Sequence, residues 1–357
     1  MTSLVGAGTV VLIGFAGRRI GGVAVGLVAA GIVALHPLIV QPDAILMSEG
    51  PYIFGVSAVL LAAFAAWDHP EKWWRWCVFG GVIGLTAMVR AEALLFAPLL
   101  LLPLAVVRRR DVRRALASIA VGGAALLLIV GPWMIRNAVT FNRFVPIGSN
   151  GGVVVLGANC PEVYSGREIG SWSFGCVAST ASLEPEKSLI SREGLSEVDV
   201  YNNWMDAGLR YLGFNSTDLV KVVPVRILRT AGLWNPAAQL DFDTAEGRNR
   251  TAQVAGFFVH WLLLPFAVGG AFVAWRRGRG LASIVLVPVA IAVIDSGILY
   301  GSTKMRATAE PSLALFAALG LVAGVVALKD RRSRAQQSSL DVDSPAGPRR
   351  LGRLAKP

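Results

Sequence analysis

The sequence contains little charge, since only 16% of its 357 residues are Asp, Glu, Lys or Arg. Soluble domains carry about 25% charged residues. Long uncharged runs rich in Ala, Gly, Val and Leu separate the charged residues, as is typical of segments surrounded by lipid. The deficit excludes an ordinary soluble domain and predicts an integral membrane protein.

Acidic residues are scarcer than basic ones, and the formal net charge is +11. In a soluble protein this excess would suggest a nucleic-acid partner. Here the basic residues form short clusters between apolar runs, which is the pattern of a membrane-topology signal. We therefore expect contact with membrane lipid and no binding of nucleic acid.

Nine apolar runs predict an all-α polytopic bundle of about nine spans, because a span needs about 20 apolar residues. Six runs precede a long polar segment and three follow it, which divides the chain into membrane helices at 1–135, a loop domain at 136–255, membrane helices at 256–328 and a disordered tail at 329–357. The runs are 4–17, 22–41, 51–67, 77–89, 91–107, 115–135, 256–275, 281–300 and 311–328.

Basic residues concentrate in alternate connections between the runs, and the positive-inside rule assigns these connections to the cytoplasm. This orientation predicts a plasma-membrane protein with residues 136–255 outside the cell and the tail in the cytoplasm. It also places the N-terminus outside, because the first run ends at Arg18 and Arg19. With only 14 residues, that run is short for a span, so we expect a tilted or interfacial helix, or the loss of an upstream span.

Ionisable residues collect in the connections predicted to lie outside. Asp43 and Glu49 form a pair of unneutralised carboxylates, which favours a general base or a cation site, so that a divalent cation is a candidate cofactor. Arginines beside such a site would suit a phosphate, because the guanidinium group binds phosphate oxygens in two places. For Arg136, Lys304 and Glu92, a solvated charge at the membrane surface is an equally good interpretation. The remaining candidates lie near the outer ends of runs and are Asp295, ranked first, and His36 and His260.

The long loop is predicted to be a mixed α/β domain. Residues 151–158 carry three valines and predict a strand, while 196–214 predict an amphipathic helix capped by Ser196. Residues 216–230 predict a second helix, whose Arg226 and Arg229 either meet lipid phosphates or form a solvated basic face.

Two of the three cysteines, Cys160 and Cys176, lie in this loop. An oxidising compartment outside the cell permits a disulfide. Since the nearby sequence holds no zinc-binding pattern, we predict a bond between them, worth roughly 3 kcal/mol in the chain-entropy model.

Several short motifs in order along residues 4–328 resemble the C-type (GT-C) membrane glycosyltransferases of the protein-mannosyltransferase and aminoarabinose-transferase group. The motifs are 34–37 with Asp43 and 48–49, 81–92, 132–137, 144–152 with 157–160, and Arg306 with 310–311.

This resemblance implies a helical bundle that transfers a sugar from a polyprenyl-phosphate donor to a protein, lipid or glycan acceptor outside the cytoplasm. Asp43 and Glu49 would then assist catalysis, and Asp295 and His260 would be accessory. The residues that would bind the donor phosphate or substrate are Arg90, Glu92, Arg136, Asn137, Arg306 and Glu310.

The chain departs from the family at its beginning, where family members have a first span and an outer loop with an acidic catalytic motif. We therefore expect either an incomplete chain or a non-catalytic relative. A transporter or flippase of polyprenyl-linked sugars is a third possibility, which the absence of a convincing internal repeat disfavours. The sugar, the acceptor and the need for a metal stay open.

Overall fold

The structure, a computed structural model, describes residues 2–45, 47–109, 111–142, 145, 147–148, 150–182 and 197–343, and this part of the chain is helical with no strand. All nine predicted runs form helices. In chain order the helices of the first half are α1 (Thr2–Gly21), α2 (Val23–Leu35), α3 (Pro37–Ala44), α4 (Glu49–Asp68), α5 (Trp73–Val89), α6 (Leu102–Arg108), α7 (Val112–Phe141), α8 (Gly151–Ala158) and α9 (Phe174–Ser182).

The second half begins with three helices of the loop domain and ends with three long apolar helices. The last of these continues to Asp343, past the predicted start of a disordered tail at 329, and residues 344–357 lie outside the described residues. These helices are α10 (Glu197–Phe214), α11 (Leu219–Thr230), α12 (Pro236–Ala245), α13 (Arg250–Arg277), α14 (Arg279–Ile298) and α15 (Glu310–Asp343).

Seven helices in the described residues are long and apolar enough to cross a membrane, or eight if the bent pair α2 and α3 is one span. Fewer helices than the nine predicted spans therefore reach this length. The second run bends by 53° between these two helices, where Pro37 follows His36, and the fourth run forms a helix of only 17 residues. The first run is longer than predicted, because α1 continues through Arg18 and Arg19, whose charges suit a helix C-terminus.

Small residues bring the helices into close contact, as expected for helices in lipid. A Cβ atom on Gly80 of α5 would lie 1.8 Å from the carbonyl oxygen of Gly122 in α7. Likewise, a Cβ atom on Gly270 of α13 would lie 1.8 Å from the carbonyl oxygen of Phe316 in α15. Any larger side chain would push these pairs of helices apart.

The span at Ala91–Arg108 is irregular along its length. A 3₁₀ turn covers Ala91–Leu95, a π-helical turn covers Ala97–Leu101, and only then does the short helix α6 begin. Proline at 98 and at 103 removes two backbone donors, which explains why the ordinary helical hydrogen-bonding pattern does not run through the segment.

The loop domain is helical, so the predicted mixed α/β domain is wrong. Residues 151–158 form α8 and not a strand. The β-propensity of the three valines is overridden by packing, because a Cβ atom on Gly152 would lie 1.7 Å from the carbonyl oxygen of Tyr201 in α10. The helix predicted at 196–214 is confirmed as α10, while its predicted cap, Ser196, lies outside the described residues.

The helix predicted at 216–230 is confirmed, with a 3₁₀ turn at Ser216–Asp218 before the α-helix at Leu219–Thr230. Its two arginines, however, contact neither lipid nor solvent. Arg226 and Arg229 are each only 1% exposed. Arg226 donates hydrogen bonds to the carbonyl oxygens of Ala158 and Gly297, at 2.6 and 3.2 Å, and thereby joins the loop domain to the end of α14. Backbone carbonyl oxygens accept most of the hydrogen bonds of these two buried cations, which a helical-face pattern in the sequence could not reveal.

The predicted disulfide between Cys160 and Cys176 is present. Both cysteines belong to a small core with Val163, Tyr164 and Val222. The bond therefore fastens the segment after α8 to α9, and both cysteines pack in one core with Val222 of α11.

Candidate functional site

The candidate site is a network of buried charges at the end of the bundle that carries the loop domain. Glu49 is the first residue of α4. Its carboxylate lies 3.0 Å from the guanidinium group of Arg248, two positions before α13, and 3.8 Å from that of Arg90. Arg90 occupies the extended residue between α5 and the following 3₁₀ turn, where it also pairs with Glu92 at 2.5 Å. Three connections that are distant in sequence thus meet in one alternating chain of charges.

The network continues into the loop domain through Glu246. This carboxylate forms an ion pair with Lys304 and lies 3.8 Å from Arg248. Asp243 is fully buried beside them and accepts hydrogen bonds from Thr303, at 3.1 Å, and from Gln239, at 2.8 Å. Burial raises the pKa of both Asp243 and Glu246, since it penalises the charged form of each carboxyl group.

A second buried ion pair lies next to this chain of charges. Arg306 and Glu310 are separated by 2.6 Å, one helical turn apart at the start of α15. Arg306 also donates to the backbone oxygen of Thr230, at 3.4 Å. His36 and His260 line a narrow cavity together with Glu310, so the structure places both predicted histidines beside this pair.

Asp295 and Tyr52 complete the buried site. Asp295 is 7% exposed near the end of α14, where its charge interacts with those of Glu92 and Arg90. The Arg90 guanidinium lies 5.3 Å from the ring centre of Tyr52, whose hydroxyl accepts a hydrogen bond from Thr308 at 3.2 Å.

The space inside the network is small. A cavity of about 20 Å³, lined by Glu49, Arg248, Lys304, Arg306 and Glu310, separates the two sets of ion pairs. That volume holds about one water molecule. A sugar phosphate would therefore enter only after the ion pairs had separated.

Asp43 lies at the edge of the network and faces a different space. Its carboxylate contacts Gly50, the neighbour of Glu49, at a point where a Cβ atom would lie 2.7 Å from Oδ1. The same side chain lines a largely apolar cavity of about 310 Å³ between α1, α2, α3 and α4. Asp43 thus stands between the charged network and a space large enough for part of a lipid.

Arg136 and Asn137 are the two predicted site residues that the structure does not bring to the network. Arg136 is exposed, and its guanidinium lies 5.0 Å from the ring centre of Trp133 on its own helix. Asn137 donates to the carbonyl oxygens of Val145 and Ile147, both at 3.3 Å. The contacts of Asn137 are therefore those of a residue that shapes the turn after α7.

Three members of the network, Asp243, Glu246 and Arg248, were not predicted from the sequence. All three lie in the long loop, whose charges carry little information on topology and were therefore not weighed singly. The sequence did hold one signal for them: all three lie shortly before an apolar run, as Lys304 and Arg306 do before α15.

Three aromatic rings border the network on the side of the loop domain. Trp172 and Phe174 meet edge to face with centroids 4.7 Å apart, and Phe174 lies 5.5 Å from Phe242. Lys304, which pairs with Glu246, has its ammonium group 5.7 Å from the ring centre of Phe242. Phe174 is half exposed, so these rings form part of the accessible border of the site.

The described residues do not group three or more His, Cys, Asp or Glu side chains as a metal site would require. The carboxylates of the network are instead paired mainly with arginine and lysine, as at Glu49 and Glu246. The divalent cation considered from the sequence stays a prediction.

Comparison with known proteins supports the resemblance seen in the motifs. The model of a family described as dolichyl-phosphate-mannose-protein mannosyltransferase matches residues 1–135. Searches of curated proteins and of solved structures found no match. The resemblance to the C-type mannosyltransferases is thus confirmed over residues 1–135, a segment that holds Asp43, Glu49, Arg90 and Glu92. Together with the apolar helices, the match supports a multi-pass membrane protein whose first 135 residues are similar to that glycosyltransferase family.

Proposed function

We propose that the protein transfers a sugar from a polyprenyl-phosphate-linked donor to an acceptor on the side of the membrane where the loop domain lies. The observation that carries the proposal is the position of Asp43. Its carboxylate lines a largely apolar cavity of about 310 Å³ and contacts Gly50, the residue after Glu49, which pairs with two buried arginines. A donor with an apolar tail and a phosphate needs these two environments side by side.

Asp43 is the general base in this proposal. Its side chain has no ion pair among the described residues, so its carboxylate is available to accept a proton. Glu49 is a poorer base, because Arg248 and Arg90 lie 3.0 and 3.8 Å from its carboxylate and stabilise the ionised form. Glu49 instead holds both arginines in position.

The arginines bind and stabilise the leaving phosphate. Arg90 and Arg248 share Glu49, and a phosphate could replace that carboxylate by accepting charge-assisted hydrogen bonds from both guanidinium groups. Arg306 would contribute from the other side of the small cavity. As the bond from the anomeric carbon to the phosphate oxygen breaks, negative charge on that oxygen grows, and these cations stabilise it.

These positions support the following reaction. Asp43 removes the proton from an acceptor hydroxyl, the acceptor oxygen forms a bond to the anomeric carbon, and polyprenyl phosphate leaves with the electron pair of the broken bond. The proton on Asp43 then passes to solvent. The acceptor would approach across the rings of Trp172, Phe174 and Phe242.

Replacing Asp43 by Asn in proteoliposomes tests the proposal. The full chain is supplied with polyprenyl-phosphate mannose labelled in the sugar and with membranes as a source of acceptors, and release of polyprenyl phosphate is measured. Because a general base contributes about 10²- to 10⁴-fold, we expect the rate to fall by about that factor. Asp68→Asn is the matched control, since Asp68 pairs with Arg19 at the other end of the bundle.

Two outcomes would contradict the proposal. Equal transfer rates for Asp43→Asn and the unchanged protein would show that Asp43 is not the general base. Movement of intact labelled donor across the bilayer, with no cleavage by either form, would favour the transporter alternative instead.

A further inference from the structure

A second apolar cleft lies at the opposite end of the bundle from the charged network. It has a volume of about 360 Å³ and is formed by the end of α4, the irregular span at Ala91–Arg108 and the beginning of α14. Six apolar side chains supply most of the lining, namely Leu99, Leu100, Leu104, Val107, Ile284 and Val287.

The irregular span creates this cleft. The π-helical turn at Ala97–Leu101 contributes Leu99 and Leu100, and Pro103 also lines the space. On the other wall, a Cβ atom on Gly280 would lie 2.1 Å from the ring of Trp67, so this glycine lets the indole pack against α14. The cleft is thus built by a local departure from helical geometry, a feature often found at functional sites.

Arginines without carboxylate partners stand at this cleft. Arg279 is one of its lining residues, and its guanidinium lies 5.6 Å from the ring centre of Trp275. Arg108 lies 4.6 Å from the ring centre of Trp67 and donates to the backbone oxygen of that residue at 2.9 Å. Neither arginine forms an ion pair within the described residues, whereas nearby Asp68 is already paired with Arg19.

We propose that this cleft binds an anionic phospholipid, with an acyl chain between the helices and the phosphate against Arg279. The apolar lining suits the chain, and the uncompensated positive charge suits a headgroup with net negative charge. Val107 lines the cleft and is 66% exposed, so the space opens to the apolar surface of the bundle, where lipid is the neighbouring molecule. The site is separate from the proposed donor site and does not depend on it.

The bound lipid would stabilise the junction of three segments. The end of α4, the irregular span and the beginning of α14 all contribute to the cleft, and the headgroup would add contacts to the arginines at its rim. Binding to the folded protein alone raises stability with lipid concentration. Anionic lipid should therefore raise the unfolding temperature more than zwitterionic lipid does.

Native mass spectrometry of the full chain in detergent tests the site, with dioleoyl phosphatidylglycerol and dioleoyl phosphatidylcholine as the two probes. We expect the first to bind more tightly and Arg279→Gln to weaken it about 10-fold, as loss of a charge-assisted hydrogen bond predicts. Arg276→Gln is the matched control, because it removes the same charge at the same end of the bundle. Arg276 packs over Phe272 and does not line the cleft. The control should bind within about twofold of the unchanged protein.

A second pair of variants tests the apolar part. Ser283→Phe places a ring in the cleft, whereas Ala290→Phe adds the same ring at an exposed position two helical turns further along α14. Ser283→Phe alone should reduce phosphatidylglycerol binding, while both variants keep the unfolding temperature of the unchanged protein without added lipid. Equal loss in Arg279→Gln and Arg276→Gln, equal affinity for the two lipids, or tighter binding of polyprenyl phosphate than of phosphatidylglycerol would overturn the proposal.

Discussion

At the scale of single residues, the most informative contrast lies within α12. Asp241 and Asp243 are two positions apart, yet their environments are opposite. Asp243 is fully buried, and burial raises its pKa. Asp241 is exposed, and hydrogen bonds from Arg250 and then Arg167 lower its pKa. The two carboxyl groups should therefore affect stability in opposite directions as the pH changes.

We predict that Asp243→Asn flattens the pH dependence of stability above about pH 4, the usual range of an Asp pKa. The folded pKa of Asp243 is raised, so its contribution is fully present below the unfolded pKa and is lost as pH rises through the folded pKa. The unfolding temperature of the unchanged protein should fall over this window, and that of Asp243→Asn should fall less. Thermal unfolding in detergent from pH 4 to pH 8 measures the difference.

Asp241→Asn is the control for this experiment. Its lowered pKa gives stability that is present above the unfolded pKa and is lost as pH falls. The Asp241→Asn variant should therefore lose stability at neutral pH and little at low pH. The same pH profile for both variants would contradict a buried Asp243 and an exposed, ion-paired Asp241.

At the scale of elements, the packing of α1 against α3 positions Asp43. A Cβ atom on Gly6 of α1 would lie 1.9 Å from Oδ2 of Asp43. Thr2 adds a hydrogen bond of 2.6 Å to the backbone oxygen of the same residue. The absence of a side chain at position 6 is therefore what leaves room for the carboxylate in its present place.

We predict that Gly6→Ala lowers the transfer rate by about 10²-fold, since displacing a catalytic group by about 1 Å can cost that much. Gly31→Ala in α2 is the matched control, because no atom lies within 4 Å of the Cβ position there. Both changes should leave the protein folded, since Ala is favoured over Gly inside helices. Full activity in Gly6→Ala beside an inactive Asp43→Asn variant would show that the carboxylate does not act from this position.

At the scale of the whole molecule, the two ends of the bundle differ in their charges. One end carries the loop domain and the alternating network around Glu49 and Arg248. The other end carries mainly arginines, and among its charged residues Asp68 pairs with Arg19. The basic connections identified in the sequence lie at this second end, so the orientation with the loop domain outside the cell remains our prediction.

Labelling from one side of the membrane tests this orientation. Cysteines introduced as Asn202→Cys in α10 and Ser333→Cys in α15 replace exposed residues. We expect a membrane-impermeant maleimide to label position 202 in intact cells and position 333 only after lysis. The opposite pattern would reverse the orientation, and a variant labelled at neither position would be compared with the same protein after denaturation.

The sequence by itself determined which segments are apolar, the disulfide and the main class of fold. Apolar runs specify spans because lipid leaves the backbone no partner but itself, and the helix is the local solution. The same reasoning found Glu49, Arg90 and Arg306, since charges at the ends of spans are easy to recognise. It failed for Gly151–Ala158, where a valine-rich segment is helical because its glycines pack against α10.

Only the tertiary structure decided which charges meet. Arg248 is remote from Glu49 in sequence but lies 3.0 Å away, whereas Arg136 has the same chemistry and lies outside the network. Helix composition cannot specify these pairs, because they depend on where the chain turns and on how closely the helices approach. For the same reason, Arg226 looked like a surface residue, although backbone carbonyl groups from two distant segments bury and bind it.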